Sequence, residues 1–126
     1  MSEAAWATEL ADPRFTIRLA EDDGIAAGFA KLGPPSLPFE ARGPSAELRQ
    51  LYVLAPWQGA GVAVTLMDWT IATARAQGAT DLYLSVFIDN ERAKRFYARY
   101  GFERIGTYTF MVGKHEDEDD VMRLAL

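Results

Sequence analysis

Cysteine is absent from the 126 residues. Disulfides, thiolate metal sites and cysteine nucleophiles go with it, and the absence accords with a reducing compartment, the cytoplasm. No apolar run is long enough to span a bilayer. Residues 1–12 carry neither the basic cluster nor the continuous apolar stretch of a secretory leader, so no membrane is expected as a partner. A basic excess is missing too: 13 Lys and Arg stand against 18 Asp and Glu, for a net charge of −5. Nucleic acid, whose phosphates require a basic surface, is therefore not expected either. The single histidine, His115, lies in an acidic stretch and reads as a solvated residue; no metal is expected.

What is present is the composition of an ordinary globular domain, 49% apolar and 25% charged, in a chain that suffices for one core spanning residues 1–126. Residues 3–10 read as the end of a helix. Residues 15–20 alternate as a half-buried strand does, and a turn at 21–24 leads into a second strand at 25–32. Residues 33–45 contain Pro34, Pro35, Pro38 and Pro44, which remove backbone donors and predict a loop. A strand at 47–54, apolar on both faces, is followed by a glycine-containing turn at 55–61 and a helix to about Gln77. That helix carries Val62, Leu66, Trp69 and Thr73 at helical spacing and stops at Gly78. A strand at 82–88 precedes a second helix at 91–100. One face of this helix is Ala93, Phe96, Tyr97 and Tyr100, the other Arg92, Arg95 and Arg99, with Glu91 expected to pair with Arg95. Gly101 ends it, with Phe102 placed to fold back. Strands at 103–112 and 121–126, joined by a polar stretch at 113–120, complete the chain. The central strand–helix–strand–helix order predicts a parallel βαβ unit inside a mixed α/β layer flanked by antiparallel strands.

The turn between the third strand and the first helix contains Gly59, Ala60 and Gly61. Small residues there allow a ligand close to the backbone, and the helix start offers unpaired N–H groups and partial positive charge, which suits a pyrophosphate. Glycines in such a turn also serve tight packing, so both readings stand on these grounds. A P-loop is excluded because the turn has no lysine, and a dinucleotide-binding fold lacks the further parallel units it needs.

Gln58-Gly-Ala-Gly-Val-Ala63 matches the Q/R-x-x-G-x-G/A signature of the GCN5-related N-acetyltransferases. Leu51-Tyr-Val53 resembles the strand that opens in that family to hold the pantetheine arm. Asn90-Glu-Arg-Ala93 with Phe96-Tyr97 and Tyr100-Gly-Phe102 resembles its second hallmark, N-x-x-A-x-x-F/L-Y-x-x-x-G-F. The chain is identified as a member on these two ordered motifs. The resemblance implies the GNAT fold: a mixed, mostly antiparallel sheet with a central parallel βαβ unit and helices on both faces. Members usually begin with a strand and helix that wall the acceptor site, and this sequence enters near the end of that region.

The implied activity is transfer of an acetyl group from acetyl-CoA to a primary amine by direct attack. Leu51, Tyr52, Val53, Gln58, Gly59, Ala60, Gly61, Val62, Ala63, Asn90 and Tyr97 would hold the donor. Backbone N–H groups at 59–63 would meet the pyrophosphate, Gln58 a phosphate or the turn itself, and the N–H of Val53 the oxyanion. A thiolate leaving group needs a proton, and a tyrosine hydroxyl has a pKa close to that of a thiol; Tyr97 occupies the family's position for this acid. By periodicity alone Tyr97 is a core residue. Asn90 reads as a helix cap or as a ligand to the pantetheine. Some relatives carry a glutamate base where this chain has Ser85; Glu47 is the candidate here, acting through water, and an amine that loses its proton to solvent needs no strong base.

Gly106-Thr-Tyr-Thr-Phe110, then Gly113, Glu116, Asp119 and Met122, is similar to the PaiA-type polyamine acetyltransferases, with Tyr108 in place of their histidine and Lys114-His115 in place of an acidic pair. On that resemblance the acidic run at 116–120 is a loop that attracts spermidine or spermine; as a bare run of acids it reads equally as a solvated loop. Peptide N-termini and aminoglycosides are alternative acceptors on the same machinery, a CoA-binding module without catalysis is the rival from another class, and homodimers are common among members.

Overall fold

A computed structural model describes residues 14–59 and 61–126, apart from the side chains of Phe110 and Val112. The helix end expected at 3–10 lies outside the described residues. In chain order the elements are β1 (Thr16–Asp22), β2 (Ile25–Gly33), β3 (Ser45–Val53), a 3-10 turn (Ala55–Trp57), α1 (Val62–Ala76), β4 (Asp81–Phe87), α2 (Glu91–Arg99), β5 (Glu103–Val112) and β6 (His115–Ala125). They form one six-stranded sheet in the order β1-β2-β3-β4-β6-β5. The β3–β4 pair is parallel and the rest are antiparallel. No helix among the described residues is long and apolar enough to cross a membrane.

The strand at the centre explains itself from composition. Leu82, Leu84 and Val86 of β4 point to one face and are almost fully buried. Beside them on that face lie Ala46 and Leu48 of β3 and Met122 and Leu124 of β6, capped by Leu66, Met67 and Ala74 of α1. Ala93, Phe96, Tyr97 and Tyr100 of α2 pack on the same cluster, and the Tyr100 hydroxyl donates to Asp68 Oδ1 of α1 at 3.3 Å. Both helices thus share one face of the sheet. Helices on both faces are expected from the family resemblance; among the described residues the opposite face is covered instead by the proline-rich segment at 34–44. Ser36 there donates to Glu47, Arg42 pairs with buried Asp81 at 2.6 Å, and Phe39 fills the space beside Gly106.

Two local expectations are corrected. Glu91 pairs with Lys94 at 3.0 Å, one turn along, and not with Arg95. The polar stretch at 113–120 is not a loop: only a tight turn at Gly113 (φ 64°) separates β5 from β6, and the acids lie within β6. Thr107, Tyr108 and Thr109 oppose Asp120, Asp119 and Glu118 across the β5–β6 ladder. The β-forming residues of β5 and the backbone bonds of β4 impose an extended conformation on a run whose own side chains disfavour it. Asp120 is buried and lies 3.5 Å from Lys94 and 3.7 Å from Arg104, which offset its charge.

Candidate active site

The site is an opening in the sheet. β3 and β4 pair through only Ser45, Ala46 and Glu47, opposite Asp81, Leu82 and Tyr83. Beyond Glu47 the two strands separate. Leu54 donates its N–H to Ala27 at 2.8 Å, so by the alternation of an antiparallel ladder Val53, opposite Gly28, and Leu51, opposite Ala30, turn their N–H and C=O groups away from β2. With β4 gone from that side, both groups of Leu51 and the N–H of Val53 face open space, the Val53 carbonyl being taken by Gln58. Unpaired backbone groups there are a template for an extended ligand with amides of its own.

A cleft of about 410 Å³ occupies the opening. Its floor is Leu51, Tyr52 and Val53; Trp57, Gln58, Gly59 and Ala63 form the end nearest the turn, and Asn90, Arg92, Ala93, Phe96 and Tyr97 of α2 form the wall. The turn is held from outside the cleft by Trp57 Nε1, which donates to Asp22 Oδ2 at 2.9 Å. Gln58 Nε2 donates to the Val53 carbonyl at 3.2 Å, bracing the turn against the strand. Gly59 and Gly61 have φ of 85° and 83°, a region that other L-residues enter at a cost. A Cβ built on either meets nothing within 4 Å. The glycines therefore serve backbone shape and open space, not tight packing. Gly61 caps α1 without a side chain, and the first internal bond of the helix is Thr65 N–H to Gly61 at 3.1 Å. The N–H groups of Val62, Ala63 and Val64 consequently remain without intrahelical acceptors.

Tyr97 is positioned by the end of its own helix. Gly101 takes φ 98°, its N–H bonds Ala98 at 3.0 Å and that of Phe102 bonds Tyr97 at 3.3 Å, the pattern of a Schellman cap. The cap folds the Phe102 ring back on Tyr97, centroids 5.8 Å apart, while Phe96 flanks it at 5.6 Å. Burial of the ring pushes the phenol pKa above its ordinary value, so the hydroxyl holds its proton throughout the neutral range. Asn90 resolves its two readings by splitting them: Oδ1 caps α2 by accepting from Ala93 N–H at 3.2 Å, while the residue lines the cleft and its amide NH₂ keeps two donors.

Leu51, Tyr52, Val53, Gln58, Gly59, Ala63, Asn90 and Tyr97 thus converge on one cleft. Gly61 and Val62 line grooves on the outside of the turn, and Ala60 lies outside the described residues. Glu47 is not brought to the cleft. It sits at the last paired position before the strands part, buried, with its carboxylate accepting from Ser36 N–H at 2.7 Å and Ser36 Oγ at 3.0 Å and lying 3.4 Å from Arg49. Trp57, Arg92 and Phe96 line the cleft without having been singled out from the sequence. For Arg92 and Phe96 the signal is their place in the second motif, whereas for Trp57 there is none short of the fold.

The model of the acetyltransferase (GNAT) family matches residues 2–102. An uncharacterized N-acetyltransferase of Mycobacterium tuberculosis is 40% identical over 97% of this chain and 74% of its own length. Among solved structures, a ribosomal-protein-alanine N-acetyltransferase from Brucella melitensis superposes with a TM-score of 0.80 at 27% identity, over 98% of this chain and 76% of its own. A GNAT family acetyltransferase from Elizabethkingia anophelis with acetyl-CoA bound shares the fold at a TM-score of 0.75 and 15% identity, over 99% and 84% of the two chains.

Proposed function

Since the chain belongs to the acetyltransferase (GNAT) family and is an acetyltransferase, we propose that it transfers acetyl from acetyl-CoA directly to a primary amine, with the donor threaded through the cleft between β3 and α2. The observation that carries this reading is the parting of β3 from β4 after Glu47, which leaves both backbone groups of Leu51 and the N–H of Val53 facing a cleft that ends at an uncapped helix start. The pantetheine amides pair with the backbone groups of Leu51, and the pyrophosphate lies at the N–H groups of the glycine turn and of Val62 and Ala63. The amine nitrogen attacks the thioester carbon, the carbonyl oxygen becomes an oxyanion at the Val53 N–H, and the C–S bond breaks. The Tyr97 hydroxyl gives its proton to the departing thiolate, and the amine nitrogen, having shed its extra proton to solvent before binding, releases one more as the amide forms. Glu47, tied to Ser36, takes no direct part.

The acceptor is a peptide or small-molecule amine with an apolar body. A groove of about 510 Å³ begins at Tyr52 and is walled by Leu19, Ala26, Phe29 and Leu54, with Gln50 as its polar edge. The polyamine reading rests on the resemblance of residues 106–122 and on an acidic loop. The run lies instead in β6, with Asp120 between Lys94 and Arg104, so it lacks the loop form on which that reading drew. The test is release of CoA thiol from acetyl-CoA across a panel containing spermidine, an aminoglycoside and short peptides with apolar first residues. Turnover is expected with the peptides above the other two. Preference for spermidine would restore the polyamine reading, and thiol release with none of the panel would overturn the proposed transfer.

A further inference from the structure

Tyr52 stands apart from its neighbours on β3. Leu51 packs on the core cluster beneath the helices, so alternation along the strand turns the Tyr52 side chain to the other face of the sheet. There it lies beside Phe29 of β2, ring centroids 5.9 Å apart and the planes at 38°, and Phe29 in turn lies opposite Leu19 of β1. Leu19, Phe29 and Tyr52 thus form a row across three strands, about 10 Å wide at the usual strand spacing. Gln50 and Leu54, two residues to either side of Tyr52, line the same groove. The ring is braced on one side only, and 53% of Tyr52 is exposed. Tyr52 also lines the cleft, and among the described residues no other lines both cavities. Because β4 has left that side of β3, the cleft and the groove meet through the sheet at this one ring.

We infer that the Tyr52 ring is the specificity-determining contact for the acceptor, the platform over which the group next to the attacking nitrogen lies. The inference deepens the transfer reading and rests on it. The nitrogen has to reach a thioester in the cleft while the body of the acceptor occupies the groove, and among the described residues the wall that the two share is this ring. The class of acceptor follows. A peptide whose first residue is large and apolar lays that side chain across Tyr52 and Phe29 toward Leu19, which removes apolar surface of both partners from water. A peptide that begins with glycine has nothing to lay there and leaves the row wet.

Thiol release with a leucine-first and a glycine-first peptide of otherwise identical sequence tests this, on the wild type and on Tyr52→Phe, Tyr52→Ala and Leu19→Ala. The wild type should favour the leucine peptide by about tenfold or more in kcat/KM, the range for a side chain gained in an apolar pocket. Tyr52→Phe keeps the ring and should keep the preference. Tyr52→Ala should bring the two peptides to within about twofold of each other, chiefly through KM for the leucine peptide. Leu19→Ala, at the far end of the row, should lower the preference part-way, and it decides the matter if thermal melts show Tyr52→Ala to be unfolded: an undiminished preference there would count against the row. A wild type without the preference, or one that acetylates other amines and neither peptide, would overturn the inference alone. So would a preference that survives Tyr52→Ala or is abolished by Tyr52→Phe, or an alanine variant that loses acetyl-CoA affinity in calorimetry and slows equally on both peptides. Thiol release with no amine at all would instead overturn the transfer reading, and the inference with it.

Discussion

Replacing Tyr97 by phenylalanine removes one oxygen and leaves the ring. The edge-to-face contacts with Phe96 and Phe102, at 5.6 and 5.8 Å, belong to the ring and survive, and among the described residues the hydroxyl has no protein acceptor to lose. Stability should therefore hold within about 0.5 kcal/mol, as for substitutions that disturb no buried partner. Rate is another matter. Proton donation is worth about 10²–10⁴-fold, which at about 1.4 kcal/mol per decade is roughly 3–5 kcal/mol of barrier. Because the cleft is open, water supplies protons in competition, and the expectation is the lower end, a fall in kcat of about 10²-fold. The pH profile adds a second signature. The phenol pKa is raised by burial, so the acid form is fully present below the ordinary tyrosine value and is lost only as pH rises through the higher folded value. An alkaline fall in kcat should lie above pH 10 or so in the wild type and be missing from the variant. Thiol release measured from pH 6 to 11, with calorimetry for acetyl-CoA, reads both. A variant that turns over at the wild-type rate with the same alkaline limb would show Tyr97 to be a packing residue and refute the argument.

Gly61→Val should lose CoA affinity and cost about 1–2 kcal/mol of stability, because a β-branched residue must enter φ 83° and its side chain stands in the space left at the helix start; titration of CoA against thermal melts separates the two effects. Asn90→Ala removes the cap of α2 and should cost about 1 kcal/mol, seen in urea denaturation, together with a loss of donor affinity, since the residue lines the cleft. Glu47→Gln should weaken the Ser36 and Arg49 contacts and lower the denaturation midpoint while leaving kcat within about threefold, as expected of a positioning contact outside the reacting groups; a collapse of kcat in a folded protein would return Glu47 to the role of base.

Most residues of the cleft were legible in residue order. Gln58 to Ala63 and Asn90 to Phe102 are local patterns: a glycine turn opening a helix, and a capped helix closed by Gly101, each governed by interactions within a few residues. The helices α1 and α2, their glycine stops, and the placement of Tyr97 on the apolar face follow from the same short range. Even the Schellman contact that holds Tyr97 is written in the Tyr97-to-Phe102 spacing.

What the order of residues left open depends on partners distant in the chain. The acidic run at 116–120 is polar enough to read as a loop, and only pairing with Phe87, Val86 and residues 107–111 makes it a strand. Glu47 and Tyr97 are equally plausible acid–base residues by type. Their surroundings differ because Ser36, eleven residues upstream, claims the Glu47 carboxylate, whereas Tyr97 lines the cleft. The opening itself is a fact of tertiary structure alone: Leu51 and Val53 carry no mark in their side chains that β4 will leave the backbone beside them. Backbone hydrogen bonding is common to every residue, so where a ladder stops is decided by how the sheet twists and where its neighbours diverge, not by the identity of the residues at the break.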